Sequence, residues 1–179
     1  FPGAIINLGP EMRSTGEVMG IDRTFGMAFL KSQSAANTRV PFEGNVILSV
    51  SDRDKPGLVP LAARLSALGF TLYATPGTRE ILAQSGIGAK NVVKIGPQRP
   101  HLLDLLPTGD IHTIANPVSG TTPARDASPI RAEAITRRIT LITTVTALAA
   151  AVEGLETRQF DKRSVAPLQD YYAGIVGDI

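Results

Sequence analysis

Thr75-Pro76-Gly77-Thr78 sets two hydroxyls and a glycine within four residues, after the β-prone run Phe70-Thr71-Leu72-Tyr73-Ala74 and before an apolar helical period. A strand that turns into a helix in this way leaves hydroxyls and backbone N–H groups at the positive end of the helix dipole, where a phosphate-class anion fits. A threonine cap would use the same N–H groups, so capping and anion binding are both open for Thr75 and Thr78. Lys94, in Asn91-Val92-Val93-Lys94-Ile95, either pairs with such an anion or ends a strand in solvent. Ser49, Asn116, Ser119 and Gly120 follow other apolar runs, and Lys55 stands in the turn after the first of them. Asn116 can also close a turn before Pro117, Ser49 reads as part core and part pocket wall, and Asp126 reads as a helix cap. His101 and His112 adjoin no Ser or Cys nucleophile, and the chain has no cysteine. No triad and no thiolate metal site is expected.

The elements that must position these residues form a repeating pattern. Val46–Val50, Phe70–Ala74, Asn91–Ile95, Ile111–Ala115 and Ile139–Ile142 read as strands, the first an unbroken apolar run of the kind buried on both faces. Between them come helical periods: Leu58, Leu61, Ala62, Leu65 and Leu68, started by Asp54 as cap with Pro56 and ended by Gly69. Then follow the helix after Thr75, a brief helix over His101–Leu106, and helices over Ile130–Arg138 and Thr143–Leu155. Alternation of this kind predicts an α/β fold: a three-layer, doubly wound, mostly parallel five-stranded sheet with right-handed crossovers. Such sheets bind ligands at the carboxyl ends of their strands, which is where these polar residues fall. Upstream, Arg23–Ala36 reads as a helix with Phe25, Ala28, Phe29 and Ser32 on one side, and Asn37–Gly44 as a connector marking a boundary near residue 40. The end of the chain, with Pro167 and the pair Tyr171-Tyr172, matches no element of this pattern.

Composition narrows the classes. The 179 residues are 43% hydrophobic, enough for one domain with a true core. A formal charge of +2 is too small for the basic face that nucleic acid requires. The apolar run Ile139–Val152 holds several threonines and is shorter than a membrane span. With Phe at position 1, the sequence reads as a piece of something longer.

Two segments carry a resemblance. Leu8-Gly9-Pro10-Glu11-Met12-Arg13-Ser14-Thr15-Gly16-Glu17-Val18-Met19-Gly20 resembles the closing motif of the second ATP-grasp half of the carbamoyl phosphate synthase large subunit, and the βα series from Val46 resembles that subunit's methylglyoxal-synthase-like allosteric domain. The resemblance implies that residues 1–40 end the ATP-grasp region, that 41–179 form the effector domain, and that the location is cytoplasmic. It implies UMP as inhibitor, IMP as activator and ornithine as an activator at the domain junction. The matching positions are Ser49, Lys55, Thr75, Gly77, Thr78, Lys94, Asn116, Ser119, Gly120, Asp126 and Ile130 for the nucleotide, and Thr143 for ornithine. It further implies the rest of the large subunit, a glutamine amidotransferase subunit and further copies of the chain as partners. The intact enzyme would use ATP, Mg or Mn, and K to make carbamoyl phosphate for pyrimidine and arginine synthesis, and this part would carry no catalytic residue.

The chain departs from the family where Asn-Thr-Thr-Ser-Gly becomes Asn116-Pro117-Val118-Ser119-Gly120, which removes two hydroxyls and one N–H. The Arg pair that often follows is Thr121-Thr122. Two other readings compete. A free-standing methylglyoxal synthase would need a carboxylate base in a Gly-Gly-Asp loop, and Gly96-Pro97-Gln98-Arg99-Pro100 holds no acid. An oligomerisation module would bind no effector.

Overall fold

Five short runs make the sheet: β1 (Asn45–Leu48), β2 (Thr71–Ala74), β3 (Lys90–Asn91), β4 (Ile111–Ala115) and β5 (Thr140–Ile142). The structure, a computed structural model, describes residues 18–93, 95–97, 99, 101–117, 124–160 and 166–176. The strand order is β3-β2-β1-β4-β5, and every pairing is parallel rather than mostly so. β1 is therefore the central strand, and Val46, Ile47 and Leu48 are at most 1% exposed, as a strand covered on both faces requires.

The helices are α1 (Phe25–Ala35), α2 (Lys55–Ala67), α3 (Pro76–Gln84), α4 (Leu102–Leu105), α5 (Ala124–Thr136), α6 (Val145–Phe160) and α7 (Leu168–Val176). Short 3₁₀ turns over Asp52–Asp54 and Leu106–Thr108 precede α2 and follow α4. One apolar cluster joins Val46, Leu48, Leu72 and Ala74 to Leu58 and Leu65 of α2, Leu82 of α3, Leu148 and Val152 of α6, and Met27 and Leu30 of α1. On the other face Ile47 and Ile114 meet Leu102 of α4 and Ile130 and Ala134 of α5. Three layers result. Gly69 ends the α2 turn at φ +89°, the left-handed position that explains a glycine there.

Several expected details change. Asp54 occupies the N-cap of α2 without a side-chain cap bond, and its carboxylate instead accepts from the Ser51 hydroxyl at 2.7 Å. α1 buries Gly26, Met27 and Leu30, whereas Phe25 is 67% exposed. The expected Phe25-sided face is wrong because α1 meets α6 backbone to backbone. A Cβ on Gly26 would lie 2.4 Å from the Gly154 nitrogen, and one on Gly154 would lie 2.4 Å from the Gly26 carbonyl oxygen. α5 begins six residues before Ile130 and takes Pro129 in its interior. α6 starts at Val145 with the Thr144 hydroxyl accepting from the Ala147 N–H at 3.0 Å, so Thr144 rather than Thr143 marks its start, and it runs beyond Leu155. The Tyr171 segment, unplaced in sequence, belongs to α7. It is held by Lys31 of α1, which donates to the Tyr171 hydroxyl at 3.0 Å and pairs with Asp22 at 2.6 Å.

Candidate functional site

The parallel register gathers polar residues into one row at the carboxyl edge. Leu48 pairs with both Ala74 and Ala115, and Ala115 with Ile142. Backbone bonds carry this ladder one step past the strands: Thr75 N–H to Leu48 C=O at 3.3 Å, Ser49 N–H to Ala115 C=O at 3.0 Å, and Asn116 N–H to Ile142 C=O at 2.9 Å. Thr75, Ser49, Asn116 and Thr143 thus stand side by side across β2, β1, β4 and β5. With strands about 4.8 Å apart, Thr75 and Asn116 are roughly 10 Å from one another.

At one end of this row α3 begins. Thr75 is its N-cap, in extended conformation, and Pro76 takes the first helical position, where a missing N–H costs nothing. Thr75 and Thr78 are each 1% exposed. The Thr75 side chain makes no cap bond to the backbone; its hydroxyl donates instead to the Thr78 hydroxyl at 3.2 Å. Plain side-chain capping is thereby ruled out for Thr75. Two hydroxyls carry two protons and this contact uses one, so among the described residues one buried donor has no acceptor.

Lys55 arrives from the start of α2. A Cβ on Gly77 would lie 3.1 Å from its Nζ, so a larger residue there would press the ammonium back from the first turn of α3 by a few tenths of an ångström. Lys55 pairs with Asp52 at 2.6 Å, the lysine side chain 19% and the aspartate 94% exposed. Cation, hydroxyls and orphan N–H groups thus converge where β2 becomes α3.

Further along the row, Asn116 is 9% exposed, and its side-chain amide has no hydrogen-bond partner among the described residues. The amide is not among the fully buried unpaired groups, so solvent reaches it and a polar group of a ligand can replace that solvent. Ser49 is half-buried and its hydroxyl likewise has no described partner. Sequence placed Asn116 on this edge but gave no sign that its amide would be unpaired, since only tertiary packing decides that.

The remaining candidates divide. Thr143 lies at the far end of the row and is exposed. Ile130 is 6% exposed inside the second apolar cluster, which makes it a core residue. Asp126 is the third residue of α5 rather than its cap, because the helix starts earlier than expected. Lys94, Ser119 and Gly120 lie outside the described residues, as does most of the Leu8–Gly20 motif. The third strand is shorter than expected and pairs only through Lys90 and Asn91, followed by a lone bridge from Val93 to His101. His101 is 7% exposed and opens α4, with its backbone N–H donating to the Asp104 carboxylate at 2.8 Å. That is a structural role. Sequence reasoning missed Asp52, which pairs with Lys55.

Residues 57–143 match the family model described as the MGS-like domain. The chain carries an MGS-like domain. The matched range begins within α2, so the central strand β1 and Lys55 lie just ahead of it. The similarity extends beyond the MGS-like domain. The chain is 45% identical over 175 residues to the "Carbamoyl phosphate synthase large chain, C-terminal section" of Methanopyrus kandleri, covering 97% of this chain and 32% of that one. It is 41% identical to the corresponding section from Aquifex aeolicus, covering 96% and 33%, and 39% identical to the large chain of Mesorhizobium japonicum, covering 97% and 15%. The chain with its MGS-like domain therefore spans a third or less of the curated relatives it matches.

Proposed function

We propose that the chain is the effector-sensing region of a carbamoyl phosphate synthase large chain, and that it binds a phosphorylated nucleotide at the carboxyl edge of its sheet. UMP as inhibitor and IMP as activator are the proposed ligands. The phosphate sits on the first turn of α3 against Thr75, Gly77, Thr78 and Lys55, with Lys94 as a further cation. Ser49 and Asn116 take polar groups further along the edge, beside Ser119, Gly120 and Asp126. The observation that carries this reading is the buried Thr75–Thr78 hydroxyl pair with Lys55 packed on Gly77. A dianion there gains charge-assisted hydrogen bonds of about 1.5–3 kcal/mol each. A neutral ligand gains far less, which selects for phosphate.

Regulation of a distant centre follows if the ligand favours one of two global states, typically by about 1–3 kcal/mol. In this reading the ATP-dependent ligation, with its Mg or Mn and K, belongs to the rest of the large chain, and ammonia comes from a glutamine amidotransferase partner. Residues 1–40 belong to the preceding ATP-grasp region and 41–179 to the effector domain. Thr143 contributes to an ornithine site at their junction, and the domain also joins copies of the chain. α1 supports such a link, because Met27 and Leu30 are buried in the same apolar cluster as α2 and α6.

Calorimetric titration of the chain with UMP and with IMP tests the reading. Saturable binding that Thr78→Ala weakens about tenfold or more is expected, since one such bond of about 1.4 kcal/mol is a factor of ten. Titrations that show no heat with either nucleotide, or binding indifferent to Thr78→Ala, would refute it. In the intact synthase, Thr143→Ala should weaken ornithine activation, and unchanged activation would remove Thr143 from that site.

A further inference from the structure

We propose that Val145, the first residue of α6, is a positioning residue for Lys55, so that the seating of α6 governs how tightly the edge holds a phosphate. The inference rests on the reading of the α3 edge given above. It starts from two glycine contacts around the first turn of α2. A Cβ on Gly77 would lie 3.1 Å from the Lys55 Nζ, and a Cβ on Gly57 would lie 3.3 Å from the Val145 Cγ1. Lys55 and Gly57 are the first and third residues of α2, so at about 3.6 residues per turn they lie on nearly opposite sides of it. The start of α2 is thus held between α3 on one side and α6 on the other.

Val145 stands at the same carboxyl edge. It follows Thr143 and the capping Thr144 directly after β5, and it packs against the apolar cluster that contains Leu58 of α2. Farther along, Arg64 of α2 holds Glu156 of α6, so the two helices are joined at a second point. Packed side chains pass a displacement on rather than absorb it. A shift in the first turn of α6 therefore reaches Lys55 through Gly57, and with it the phosphate. α6 is in turn pressed against α1 at Gly154 and Gly26, so the reach of Lys55 depends on how α1 and α6 sit together.

The test is calorimetric titration with inorganic phosphate and with UMP. The proteins are the chain, Val145→Ala, Val145→Ala with Gly57→Ala, and Lys55→Met with and without Val145→Ala. Val145→Ala opens a gap at Gly57 and is expected to weaken both probes about three- to tenfold. Adding Gly57→Ala supplies a methyl from the other side of that gap and should restore most of the loss. Lys55→Met should weaken both probes, and adding Val145→Ala to it should cost little more, as expected when one residue acts through the other. Unchanged binding by Val145→Ala, with Thr78→Ala still impairing the parent, would overturn this role for Val145 and leave the effector site standing. So would a loss that Gly57→Ala does not restore, or one that adds in full to Lys55→Met, because general loosening of the fold does both. Phosphate and UMP that bind neither the parent nor any variant would overturn both readings.

Discussion

The α1–α6 contact and the carboxyl edge of the sheet are built on opposite principles. At the first, Gly26 and Gly154 bring two helix backbones so close that a single added carbon on either would lie 2.4 Å from the other's main chain. No space is left over at either glycine. At the second, the Asn116 amide, the half-buried Ser49 hydroxyl and one proton of the Thr75–Thr78 hydroxyl pair have no described partner. The first region has spent its freedom on close packing, which rigidifies it. The second retains hydrogen-bonding capacity that a ligand can take up. A sensor needs both, a site that gains from occupancy and a joint stiff enough to transmit what occupancy changes.

The largest effect is expected at the joint. Gly154→Ala should destabilise the fold by about 2–3 kcal/mol or more, because backbone atoms cannot step aside as a side chain can. The sign is opposite to the gain of roughly 0.5–1 kcal/mol that Gly→Ala brings inside an ordinary helix. Gly57 in α2 is the internal control. A Cβ there meets only the Val145 Cγ1 at 3.3 Å, so Gly57→Ala should stay within about 1 kcal/mol of the parent. Thermal or urea unfolding of both variants decides the matter. Equal midpoints would mean that the joint yields, and that the contrast between the two regions is false.

At the edge little stability is expected to be at stake. Asn116→Leu replaces an amide that solvent reaches by an apolar side chain of similar size and should leave the fold within about 0.5 kcal/mol of the parent. The same change should weaken UMP about tenfold, the equivalent of one lost hydrogen bond. Stability kept while binding is lost is the signature of a group that serves a ligand. A variant that loses both would instead make Asn116 a structural residue.

The difference between the regions also explains what could be read in advance. Strand and helix order was legible from apolar period alone, because β1 is covered on both faces and α2 carries Leu58, Leu61 and Leu65 toward the core. Thr75, Thr78, Ser49 and Asn116 were legible as a set, because a parallel sheet must bring strand ends to one edge. The joint was not legible. A glycine in a helical pattern reads as a weak point, and only a second glycine more than a hundred residues away turns it into a contact. The same blindness left Gly26 out of account beside the Phe25, Ala28, Phe29 and Ser32 side of the helix. Asp52 escaped for a related reason: one acidic residue in a turn means nothing until the lysine it faces is fixed against α3.

The smallest expected effect concerns charge near the joint. Arg64 of α2 holds Glu156 of α6 through two hydrogen bonds, Nε to Oε1 at 2.8 Å and Nη2 to Oε2 at 2.6 Å. The bond from Arg64, against some opposing burial, holds the Glu156 carboxyl below its ordinary range. A carboxyl whose folded pKa is depressed adds stability above its unfolded pKa of about 4.3 and loses that contribution as pH falls through the folded value. Both side chains are more than a third exposed, 39% and 34%, so solvent screens the pair and about 0.5 kcal/mol is the expected size. Glu156→Gln should therefore lower stability slightly at pH 7, and the gap to the parent should close as the pH falls below about 4. Urea midpoints measured from pH 7 down to pH 3 would show this convergence. Parallel curves would mean that the pair stabilises neither helix, and that the α2–α6 side of the joint depends on packing alone.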